Sequence, residues 1–179
     1  MNLGNVYTTG PSLDAWCKLT DLYGDDRLTP VHLGQVLNVC GPESAIYCLK
    51  CADDTLIRRV MARWVLEATA LPAEPPGAML HVLRVLRRLA AGPVAGVSTS
   101  EETLGLTCSV AWEHAERLAP KAYDRLRGLF TSNAEAIREF EFARCSAWVT
   151  ALSPAYRLFN VYAATDKPKA HAILREVIA

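Results

Sequence analysis

Helix punctuation recurs from one end of the chain to the other. Thr29-Pro30, Gly41-Pro42, Gly92-Pro93, Ser153-Pro154 and Asp166 with Pro168 each close one segment or open the next. Proline suits the first turn of a helix, where its missing N–H is not needed, and glycine suits the position just past the end. Between these breaks apolar residues return every three or four positions, as in Leu56, Ile57, Val60, Met61, Trp64 and Val65. No useful stretch alternates at period two, and no longer repeat is visible. The expected fold class is all-α, with about nine or ten short helices packed in one core or two small helical lobes.

The same signals set the expected boundaries. Residues 1–10 read as a flexible N-terminal arm, and 11–179 as a helical domain with a sub-lobe break near 92–99. Leu13 to Tyr23 is amphipathic and stops at Gly24. Thr29 caps a helix that has Pro30 at its first position and ends near Cys40-Gly41; Pro42 opens a shorter one. Asp53 or Asp54 caps the next, which ends before Pro72. Met79 to Ala91 follows, with Arg84, Arg87 and Arg88 on one face. Ser100-Glu101-Glu102 starts a helix to about Leu118, and Pro120 starts another ending near Phe130. Ser132 and Glu135 form a capping box for a helix running to about Leu152.

The chain has 179 residues, half of them hydrophobic, enough for a core without covalent staples. Its start has neither the basic end nor the apolar stretch of a signal peptide, and no apolar run reaches membrane-spanning length. No membrane partner is therefore expected. The cysteines, Cys17, Cys40, Cys48, Cys51, Cys108 and Cys145, mostly sit in apolar patterns and read as reduced thiols. Cys48-x-x-Cys51, with Cys40 and His32 upstream, resembles half a zinc site, but the second close pair is missing, so neither metal nor cofactor is expected.

Net charge is zero, yet acids dominate up to Thr55 and arginines dominate from Ile57 to Leu89. That asymmetry permits phosphate binding, and it permits head-to-tail contact between copies. It equally fits solvated helix faces. Catalytic constellations are missing. There is no Gly-x-Ser-x-Gly elbow. Glu113 and His114 are adjacent and point about 100° apart on a helix. His114 and Arg117 read as a surface pairing, and Glu139 and Glu141 diverge. No enzyme is expected. Trp16, Trp64, Trp112 and Trp148 sit mid-helix, where core packing is the commoner role and base stacking the rarer one.

In order along the chain, several motifs resemble the coat protein of flexible filamentous plant viruses, the potyvirus type most closely. Leu13-Asp14-Ala15-Trp16 with Tyr23-Gly24 is similar to that family's Phe-x-x-Trp helix and later Tyr-Gly. Trp64-Val65-Leu66-Glu67, then Pro72, resembles its Trp-Cys-Ile-Glu…Pro. Pro120 to Arg125, then Phe130, resembles its Pro-Thr-Phe-Arg…Phe, and Ala134-Glu135-Ala136 with Glu139 resembles its Ala-Glu-Ala-Tyr-Ile-Glu. Ala155 to Tyr162 looks like its Ala-Arg-Tyr-Ala-Phe-Asp-Phe-Tyr, with Thr165 and Pro168 near its Thr-Pro.

The resemblance implies a capsid subunit that polymerises helically around single-stranded RNA, in a virion or the host cytoplasm. The family's RNA-pocket Arg falls on Arg125 and its Asp on Asn160; its hydroxyl position holds Leu71, with Thr69 nearby. Arg127, Arg157 and Lys121 are the further phosphate candidates. Tyr123, Phe159 and Tyr162 either stack on bases or pack between helices. The family's long arms, which hook onto adjacent subunits, have no counterpart in the short ends read here. The alternative reading is a non-enzymatic helical adaptor that binds another protein.

Overall fold

The computed structural model describes residues 1–68, 77–92, 99–123, 134–151 and 166–178. Among them are nine helices and no strand, so the chain is all-α. They are α1 (Leu3–Thr8), α2 (Leu13–Tyr23), α3 (Leu33–Val39), α4 (Pro42–Leu49), α5 (Asp54–Ala68), α6 (Gly77–Ala91), α7 (Glu101–Tyr123), α8 (Ala134–Thr150) and α9 (Lys167–Ile178). The chain divides into two units, Met1–Ile57 with Leu158–Ala179, and Arg58–Arg157. The division therefore falls at 57/58 and 157/158. The expected break near 92–99 lies inside the second unit.

In the first unit α3 and α4 pack together, and α2 and α9 pack against them. Their buried faces supply Leu19, Val36, Leu49, Ile173 and Leu174. Residues 1–10 are not a loose arm. Asn2 and Asn5 form a reciprocal capping box, and Leu3 and Val6 are fully buried. The Leu3 N–H donates to the Thr29 carbonyl at 3.0 Å, and the Val31 N–H donates to the Met1 carbonyl at 3.1 Å.

That pairing also explains why α3 starts late. The backbone from Thr29 to Val31 is engaged by the N-terminus, with Asn2 and Pro30 forming an isolated bridge. His32 is held at both its N–H and its carbonyl, each 3.2 Å from the Tyr23 hydroxyl. Thr29-Pro30 is thus not the cap of a helix, and the first turn forms three residues later.

In the second unit α8 lies against α7 along much of its length, and α6 packs on both. The second half of α8 is buried nearly all round, through Phe142, Ala143, Cys145, Ala147 and Val149. Ser146 and Thr150 are buried there as well. Their hydroxyls donate to the carbonyls of Phe142 (2.6 Å) and Ser146 (3.0 Å), one turn back on the same helix. Pro120 does not open a new helix, since α7 runs through it to Tyr123. A proline within a helix deletes one backbone hydrogen bond, and α7 persists across the loss.

Candidate functional site

The residues expected to hold RNA fall largely beyond the described part of the chain. Arg125, Arg127, Arg157, Phe159, Asn160 and Tyr162 lie outside the described residues. Lys121 and Tyr123 fall on the last turn of α7, and their side chains also lie outside the described set. The Ser132 cap, the Ser153-Pro154 break, Leu71 and Thr69 are likewise outside.

What the second unit does present is two exposed helix faces of opposite sign. Buried residues of α6, among them Met79, Val82, Leu83 and Leu86, turn inward. Leu80, Arg84, Arg87, Arg88 and Ala91 are left outward, within an arc of roughly 100° at helical spacing. Leu80 is 42% exposed. None of the three arginines forms an ion pair with another described residue. Behind this face His81 Nε2 lies 3.2 Å from Thr107 Oγ1, tying α6 to α7.

Buried positions of α7 are Leu104, Thr107, Ala111, Ala115 and Leu118. Its exposed face carries Glu102, Gly105, Leu106, Ser109, Trp112, Glu113 and Glu116. Leu106 is 59% and Trp112 46% exposed, so Trp112 is no core residue. Trp64, by contrast, is buried. Glu113 pairs with Arg117, while Glu102 and Glu116 form no ion pair among the described residues. Sequence reasoning noted the α6 arginines but named none as a site. The i, i+3, i+4 spacing of Arg84, Arg87 and Arg88 was the available signal.

Other polar clusters hold the unit together. Arg58, on α5, is buried and gives one nitrogen, Nη1, to Glu101 at 3.1 Å; its Nε and Nη2 have no hydrogen-bond partner among the described residues. Arg59 lies against Gly92 at the C-terminal end of α6, where its guanidinium complements the helix dipole. His114 does not pair with Arg117. Its Nε2 lies 2.6 Å from Glu139 Oε1 on α8, with both side chains largely buried. Glu141 instead bonds Arg144 at 2.6 Å, and the Arg144 guanidinium lies 4.5 Å over the Trp148 ring. Glu139 and Glu141 thus diverge, and their partners hold α7, α8 and a tryptophan in place.

Burial favours the protonated form of the Cys40, Cys48 and Cys51 thiols. Burial, with lesser contributions from Cys51 and Cys40, pushes Cys48 up to about 12. Cys51 and Cys40 are also raised, chiefly by burial; their thiols donate to the carbonyls of Asn5 (3.2 Å) and Lys18 (3.5 Å). Among the described residues no group of three or more His, Cys, Asp or Glu is placed to hold a metal ion.

No family model, no curated protein and no solved structure matches this chain.

Proposed function

We propose that the chain is a non-catalytic structural subunit that polymerises and coats single-stranded RNA in a virion or the host cytoplasm. The observation that carries the reading is the pair of exposed faces on α6 and α7. Each combines exposed apolar surface with charges that form no ion pair among the described residues, Leu80 with the arginines on α6 and Leu106 and Trp112 with Glu102 and Glu116 on α7, a surface that suits association. The order of coat-protein-like motifs along the chain supports RNA as the cargo. Arg125 would lead the phosphate contacts, with Asn160, Lys121, Arg127 and Arg157 beside it. Such contacts release counterions, ignore base identity and sum along a polymer although each is weak.

Electron microscopy of the purified protein with and without single-stranded RNA tests this. Filaments that shield the RNA from nuclease are expected, and they dissociate as salt rises. Arg125→Ala is expected to reduce the RNA retained while leaving helical content unchanged. Discrete particles with unprotected RNA would instead leave the adaptor reading. One observation favours that second reading: Leu13 and Leu28, each 78% exposed, lie in the unit where Tyr7 meets Trp16 edge-on at 5.0 Å.

A further inference from the structure

The two exposed faces of the second unit match each other. On α7, Gly105 and Ser109 form a low floor, with Leu106 on one side and Trp112 on the other. Glu102 lies one turn before Leu106, and Glu116 one turn after Trp112. On α6, Arg84 lies one turn after Leu80. Charge and apolar contact are thus about 6 Å apart along both helices. Gly105 sharpens the match. Glycine weakens a helix interior relative to alanine, and a Cβ there would meet nothing within 4 Å, so nothing described in the chain requires it. A glycine there leaves room for another backbone or side chain to approach closely.

We infer that a second copy of this chain docks its α6 face into the α7 trough of the first. The two helices run antiparallel, so Leu80 enters over Gly105 and Ser109, and Arg84 and Arg88, about 6 Å apart along α6, fall on either side of Glu102. The inference rests on the assembly half of the proposed function. RNA is the weaker occupant of α6, because a phosphate strand leaves Leu80 uncovered and has no counterpart for the acidic α7 face. The two patches differ, so the contact is heterologous and repeats from copy to copy, closing into a ring or extending as a filament.

Two full-length variants test the polarity in nucleic-acid-free buffer by analytical ultracentrifugation. Arg84→Glu with Arg88→Glu blocks α6; Glu102→Lys blocks α7. Each alone is expected to associate roughly a hundredfold more weakly, because like charges then face each other. Mixed, they set opposite charges against each other at both contacts and resume assembly as alternating copies. Gly105→Phe, uncharged, is expected to behave as the α7-blocked variant does alone, with circular dichroism confirming its helices. Variants that still assemble alone, or a mixture that stays monomeric, overturn the inference. If the α6 variant assembles normally and loses only RNA, the stripe belongs to RNA and the inference fails while the coat reading stands. Assembly on mixing without RNA retention by the wild type gives the reverse result.

Discussion

A buried guanidinium with one partner among the described residues sets the energetics at Arg58. Its side chain is 7% exposed, while that of its partner Glu101 is 68% exposed. Counted as an exposed pair the bridge would be worth under about 1 kcal/mol. Burial of the cation reverses that judgement. Glu101→Gln is expected to cost about 1–3 kcal/mol, because it leaves a desolvated charge without its counter-ion. Arg58→Met roughly keeps the volume and removes the two nitrogens that lack a partner among the described residues, so it should be neutral or stabilising. Urea unfolding of both variants checks the ordering, and a more stable Glu101→Gln would refute it. The sequence signals an acid at the first turn of α7, as helix dipoles favour. Nothing in it says that an arginine 43 positions earlier reaches that acid.

Among elements, the seam between α7 and α8 depends on His114 and Glu139. The neighbouring Glu113–Arg117 pair is two-thirds exposed and one turn apart, so it should contribute only about 0.3–0.5 kcal/mol. The cross-helix pair is largely desolvated. A double-mutant cycle with His114→Ala and Glu139→Ala is expected to give a coupling of about 1–2 kcal/mol. Equal coupling for the two pairs would place no special weight on the seam. Helix existence was plain in the sequence. The bounds of α2 and its stop at Gly24, the Asp53 side chain accepting from the Leu56 N–H, and the entry to α9 after Asp166 all follow local cap chemistry. Where residues far apart compete for the same backbone, local chemistry gave the wrong answer. Thr29-Pro30 serves the N-terminus, and α1 exists because it has that partner.

Across the whole molecule the buried thiols report on each unit separately. Burial lifts Cys48 in the first unit to about 12 and, with Glu141 adding to it, Cys145 in the second to about 11. Unfolded thiols ionise near ~8.5. Above that pH the unfolded chain has released protons that the folded chain still holds, so stability falls as pH rises toward 11 and 12. Thermal unfolding from pH 8 to 11 should show the decline, and Cys48→Val with Cys145→Val should flatten it. Native labelling with a maleimide at neutral pH is expected at exposed Cys17 first and at Cys48 and Cys145 last.

Sequence alone determined that the chain is all-α and where most helices begin, because caps and 3.6-residue periodicity act within a few residues. It also marked which face of α5 turns inward. Only the tertiary structure decided that residues 1–10 are anchored, that His114 belongs to Glu139, and that Trp112 and Leu80 face outward. Those facts depend on which helices meet, and that is set by the summed burial of many apolar side chains rather than by any local signal.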